Sequence, residues 1–254
     1  VFLDNTAQDL TGFALTNYQA SFRTAPDLTS SPPDVVSVSP TFGVPDVPLN
    51  VIIDVQYDKM LNPATVAGAV SLQDEIGNPV AATVTLDANG QVIHIAPNAI
   101  LAASSFYSFT ISKTLQDVNG LSPSNLFSGS FETGTASDTV APQVKSITPP
   151  NQAVNVGNNA NVVVRFSEPI NPITVTGTTI KVSVGANVIP SSISFSNANQ
   201  DVTVVPQAPL PNASIINVTV SGVKDLAGNP VGTSTTQFTT GTGPDVTAPT
   251  VVTE

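Results

Sequence analysis

One turn motif recurs along this chain at a fixed interval, and it limits the folds available. Asp225-Leu226-Ala227-Gly228-Asn229-Pro230 lies between two alternating runs, Ile216–Val220 and Gln237–Thr240. Asp bonds backbone amides ahead of it, Gly and Asn accept positive φ, and Pro blocks further strand pairing. The motif therefore predicts the loop of a β-hairpin. Asp117-Val118-Asn119-Gly120 and Asp9-Leu10-Thr11-Gly12 repeat it at intervals of 108 residues. Each loop precedes a strand ending in Phe: Phe22-Arg23-Thr24, Phe131-Glu132-Thr133 and Phe238-Thr239-Thr240. Such a period identifies a tandem array whose unit is large enough to carry its own core.

Within each unit, polarity alternates. Val51, Ile53, Val55 and Tyr57 point one way, and Ile52, Asp54 and Gln56 the other. Ala160, Val162, Val164 and Phe166 repeat that face in the second unit, opposite Asn161, Val163 and Arg165. Polar residues confined to one parity mark a half-buried antiparallel strand. Strands are expected at Val35–Ser39, Asn50–Tyr57, Val70–Gln73, Val80–Leu86, around Ile93–Ile95 and at Tyr107–Ile111. The second unit is expected to have Asn159–Phe166, Thr179–Val184, Ile189–Phe195, Val202–Val204 and Ile216–Val220. No stretch has the period of an amphipathic helix. About seven short antiparallel strands per unit, with turns every 8–12 residues, predict an all-β chain of tandem Ig-like β-sandwiches. The expected divisions are 1–31, the C-terminal part of a preceding repeat; 32–136 and 137–243, two whole repeats; and 244–254, the start of another. On this reading the chain is an excerpt from a longer array. The alternative is that residues 1–26 add strands to the first whole sandwich.

Composition excludes several function classes. The net charge of −11, with only 7 Lys plus Arg, leaves no basic face for nucleic acid or an anionic membrane. No apolar run is long enough for a transmembrane helix. With no Cys, each unit is expected to be held by its own apolar core. The linkers Thr133–Thr139 and Thr240–Thr247 are short and lead into Ala-Pro, which limits flexing. Neighbouring units should therefore touch, as in a beaded rod.

The residues resemble the bacterial Ig-like domain of S-layer proteins and large surface adhesins. The resemblance rests on the Phe166-Ser167-Glu168-Pro169-Ile170 turn, on Val223-Lys224-Asp225-Leu226-Ala227-Gly228-Asn229-Pro230, and on Phe238-Thr239-Thr240-Gly241. The first repeat departs from it at Tyr57-Asp58-Lys59-Met60-Leu61. The resemblance implies an extracellular or cell-surface setting. It does not select among stalk, S-layer, filament, adhesin or enzyme accessory.

Few residues point to chemistry. His94, the single histidine, falls on outward parity and is expected to face solvent. With no second His and no Cys, it lacks partners for a triad or a zinc site. Glu168 has no facing carboxylate in its turn, which argues against glycoside hydrolysis. Calcium is the cofactor that fits the acidic pattern. Asp117 and Asp225 recur in the hairpin loop (with Asp9 before them), Asp138 and Asp245 recur in the linkers, and Glu168, a lone carboxylate in the turn after a strand, is a further candidate. Calcium takes six to eight oxygens, which Asp, Glu and loop carbonyls supply. The competing reading is that each Asp caps its own turn. Asn212-Ala213-Ser214 and Asn217-Val218-Thr219 are sequons, making Asn212 and Asn217 candidate glycosylation sites.

The expected role is a structural, non-catalytic segment whose partners are neighbouring repeats, or the same protein in a lattice or filament joined through terminal strands. The alternative is an adhesion module for carbohydrate or a protein. The lack of Trp, and the placing of Tyr18, Tyr57 and Tyr107 on strands, speaks against a sugar-stacking surface.

Overall fold

Alternating apolar side chains need a second sheet to cover them, and each repeat supplies one. The computed structural model describes residues 2–3, 18–19, 31–44 and 46–248. The expected Asp9 loop and the residues after 248 lie outside them. Val1–Ser31 and Pro32–Glu254 are separate units. In the former, β1 (Phe2–Leu3) pairs antiparallel with β2 (Tyr18–Gln19).

The first sandwich comprises β3 (Val35–Ser39), β4 (Ile53–Tyr57), β5 (Val70–Asp74), β6 (Ala82–Leu86), β7 (Val92–Pro97), β8 (Phe106–Ile111) and β9 (Phe127–Glu132). Its sheets run β3-β4-β7-β6 and β5-β8-β9. The second comprises β10 (Val144–Thr148), β11 (Val162–Phe166), β12 (Ile180–Val184), β13 (Asn187–Val188), β14 (Ser191–Ser196), β15 (Asp201–Pro206), β16 (Ile215–Val220) and β17 (Ser234–Thr239). Its sheets are β10-β11-β15-β14 and β13-β12-β16-β17. Both recurrent Asp loops join antiparallel neighbours, β8 to β9 and β16 to β17, as hairpin connections.

A helix appears where none was expected. Pro63–Ala69 forms α1, with the Asn62 side chain accepting the Ala64 amide at 3.1 Å and Pro at the first helical position. Seven residues make fewer than two turns, too few to show a period, although the cap and the alanines suit a helix. The second repeat has Ile173 and Thr176 in place of Ala64 and Ala67, and only the 3₁₀ turn Pro172–Thr174 forms. The expected strand Ile189–Phe195 forms as β14 but starts two residues later, at Ser191, and runs to Ser196, with the short β13 before it.

The cores follow the alternation. Val51, Ile53, Val55, Ile93, Ile95 and Phe109 are buried in the first, and Val162, Val164, Phe166, Val202, Val218 and Phe238 in the second. Gly129 sits opposite Phe109 across β8–β9, and a Cβ there would lie 2.3 Å from the Phe109 ring. The ring is 1% exposed within the first core, so room for a Cβ must come from a shift in that packing. Gly129→Ala is expected to destabilise the protein by about 1–3 kcal/mol. Urea unfolding measures this, and a change below about 0.5 kcal/mol would show that the ring yields.

The first core is not self-contained, contrary to the expectation of independent units. Leu226, from the second repeat's hairpin loop, is 4% exposed and packs within the first core. Its counterpart Val118 is 56% exposed.

Candidate functional site

The joint between the sandwiches is built by the second repeat's Asp loop. Asp225 Oδ1 accepts the amides of Ala227 (2.8 Å) and Asn229 (2.9 Å), and Oδ2 accepts the Asn229 side-chain amide (2.8 Å). This fixes the loop so that the Leu226 carbonyl accepts the Ile52 amide of the first repeat at 2.9 Å. Gly228 has φ +91°, a backbone that favours glycine, and a Cβ on it would lie 2.8 Å from Ile52 Cδ1, so the tip of that side chain would have to shift. Gly120 has the same backbone with open space around it.

The linker is clamped in the same way twice. Asn50 accepts the Asp138 amide (2.8 Å) and donates to the Asp138 carbonyl (2.7 Å). Asn159 treats Asp245 identically, at 3.0 and 2.9 Å. Sequence reasoning passed over these asparagines, although their recurrence at the head of equivalent strands was visible.

Of the expected calcium ligands, the fold brings three together. Asp138, Glu168 and Asp225 place carboxylate oxygens within 4.8 Å of one another. Burial, with the neighbouring Asp138 and Asp225 charges, pushes the Glu168 carboxyl up to about 7. Asp225 is also raised, first by burial and then by Asp138. Three hard oxygen donors in one place invite neutralisation by protons or by a hard cation such as calcium. Asp117 and Asp245 stand apart from this cluster. Asp117 Oδ1 caps its own turn at Asn119 and Leu121 (both 2.9 Å), while its buried Oδ2 has no partner. Leu121 stands there where the second repeat has Asn229. Asp245 caps Thr247.

Glu168 makes stability depend on pH in a defined direction. A carboxyl raised in the folded state holds its proton more tightly there, so stability falls as pH rises from about 4.5 to about 7. Glu168→Gln is therefore expected to be more stable than the parent at pH 8. The gain is of order 1 kcal/mol after allowing for solvent screening, and it should shrink towards zero at pH 4.5. Thermal unfolding across that range measures it; a gap independent of pH would refute the assignment.

The sequence expectation for His94 is corrected. Its outward face is covered by the second repeat, so His94 is half-buried and its Nδ1 lies 2.6 Å from Asp54 Oδ1. Asp54, also read as outward, is 4% exposed, and its Oδ2 accepts the side-chain amide of buried Asn171 across the joint at 2.6 Å. Asp54 raises the His94 pKa, chiefly through the hydrogen bond between its Oδ1 and His94 Nδ1. Parity distinguishes the two faces of a sheet, but it cannot show that a neighbouring repeat covers the outer one. Of the sequon residues, Asn212 is exposed and accepts from Asn158, and Asn217 is half-buried on β16 between Ser183 and Gln237.

No helix among the described residues is long and apolar enough to cross a membrane. A sequence profile described as bacterial Ig-like domain matches residues 29–133 and again 138–240. A search of curated proteins finds no match. Among solved structures, PcoC, a methionine-rich copper resistance protein from Escherichia coli, is 17% identical with a TM-score of 0.34, covering 40% of this chain and 99% of that one. The N-terminal part of the bacterial S-layer protein SbsC is 16% identical with a TM-score of 0.34, covering 83% of this chain and 45% of that one. An L,D-transpeptidase from Mycobacterium smegmatis is 24% identical with a TM-score of 0.31, covering 41% of each chain. The chain thus spans under half the length of the latter two.

Proposed function

The chain belongs to the bacterial Ig-like domain family, and we propose that it is a non-catalytic structural segment of an extracellular bacterial surface protein, dividing at 31/32, 136/137 and 243/244. Its work is to hold successive sandwiches at a fixed relation, as a stalk, layer or filament needs. The observation that carries this reading is Leu226, a loop side chain of one repeat buried in the core of another. A flexible tether would have no use for it. The recurrence of the Asn50–Asp138 clamp at Asn159–Asp245 supports extension of the same joint to a following repeat. Calcium at Asp138, Glu168 and Asp225 belongs to this proposal, as the ion that would relieve their repulsion above neutral pH.

Residual dipolar couplings of the whole chain test it. One alignment tensor should fit both sandwiches, and two independent tensors would overturn the rigid-joint reading. Repeating the measurement with calcium and then a chelator separates the ion from the joint, since a tensor unchanged by either removes calcium alone. Antibody against the chain should label intact producing cells; labelling only after lysis would overturn the surface location.

A further inference from the structure

The end of the first sandwich carries side chains that its fold does not require. A cavity of about 450 Å³ lies there, with Phe42, Phe106, Asp46, Glu132, Ser104 and Ser130 in its wall. Phe42 is 87% exposed and Phe106 45%. Phe106 and Glu132 are direct cross-strand partners, so their side chains share one face. Beneath them Phe131 stacks on Tyr107, ring centroids 5.8 Å apart.

The second repeat provides an internal control. In the first, Thr133 Oγ1 donates to the Ala102 carbonyl (2.7 Å) and accepts the Ser105 amide (3.0 Å), while the Gly134 amide donates to Val47 (2.8 Å). In the second, Thr240 Oγ1 donates to Pro211 (2.5 Å) and accepts Ser214 (3.0 Å), and Gly241 donates to Val156 (2.7 Å). Positive φ recurs at Asp46 and Asn155, and at Ser104 and Ala213. The backbone frame is therefore duplicated. The side chains are not: Asn151, Asn155, Ile215 and Thr239 replace Phe42, Asp46, Phe106 and Glu132. The aromatic and acidic character belongs to the first repeat alone.

We propose that this pocket binds a small organic ammonium ion, of the size of an amino sugar. Two carboxylates line it and no Lys or Arg does, so an anion would be repelled. Neither carboxylate is engaged in a hydrogen bond or ion pair among the described residues. A bare metal ion needs several oxygens around it, whereas much of this wall is phenylalanine. An ammonium group suits both, donating charge-assisted hydrogen bonds to Asp46 or Glu132 and lying against the face of an exposed ring. The volume lies in the usual range of small-ligand sites. The sequence reading weighed only Trp and Tyr as stacking residues and passed over Phe.

The test is an NMR titration of the whole chain with glucosamine, with glucose as neutral isostere and lysine amide as acyclic ammonium, at constant ionic strength. Glucosamine should give saturable shifts at Phe42, Phe106 and Glu132 and none at Asn151. Glucose should bind at least about tenfold more weakly. Phe42→Ala and Glu132→Gln, both at exposed positions, should each weaken glucosamine about tenfold. Lysine amide binding as well as glucosamine would support the ammonium as the recognised group, and weaker binding would support an amino sugar as its source. Glucose equal to glucosamine, shifts that never saturate, or variants that bind like the parent would overturn the proposal.

Discussion

Replacing Leu226 with alanine is expected to destabilise a domain to which that residue does not belong in sequence. The side chain is 4% exposed within the first repeat's core, so its loss removes buried apolar area and leaves a cavity. Leu→Ala changes at such sites cost about 2–5 kcal/mol. Amide exchange should speed up at Ile53 and Ile93, in the first repeat, as well as near position 226. Val118→Ala is the matched control, the same loop position with 56% exposure, and should change stability by less than about 0.5 kcal/mol. If the two variants lose equal stability, or if only the second repeat responds, the sandwiches are energetically separate and the joint is a surface contact.

The second large effect is expected at Asp54. Its carboxylate satisfies Asn171 across the joint and His94 on its own sheet. Asp54→Ala leaves the buried Asn171 amide without that acceptor, at a cost of about 1–3 kcal/mol. The cost should vary with pH. The His94 pKa is raised in the folded state, by Asp54 first and with help from Asp87, against partial burial and Lys224. A raised base contributes stability that is complete below its unfolded pKa of 6.5 and is lost as pH rises through the folded value. The difference between parent and variant should therefore be larger at pH 5.5 than at pH 9. Urea titrations at those two values decide the matter, and a difference under about 0.5 kcal/mol at both would mean that water replaces the carboxylate.

The strands were legible because their signal is local. A residue's parity follows from its neighbours, so Ile53, Val55 and Tyr57, and Val162, Val164 and Phe166, could be assigned inward without a partner in view. The joint was not legible for the same reason. Asp54 and His94 have the parity of solvent-facing residues, and only the arrival of Asn171 from 117 residues away makes that face an interior. The acidic pattern was half informative. Asp117 and Asp225 are equivalent in the repeat, yet only Asp225 meets two other carboxylates. Lys59 stands at the position of Glu168, and nothing local to Asp117 reveals that difference. Phe42 was missed because the sequence marks it only as a loop residue, and its 87% exposure is a tertiary fact.

The buried Leu226 also sets an order on biosynthesis. A ribosome completes β9 of the first repeat roughly 95 residues before it reaches position 226, which at about 5–20 residues per second is a delay of about 5–20 s. Throughout that interval the first core lacks the Leu226 side chain that packs within it in the finished chain. In an array whose hairpin loops all buried a leucine as the second repeat's does, each new repeat would finish the one before it, and the growing end would always be the unfinished one.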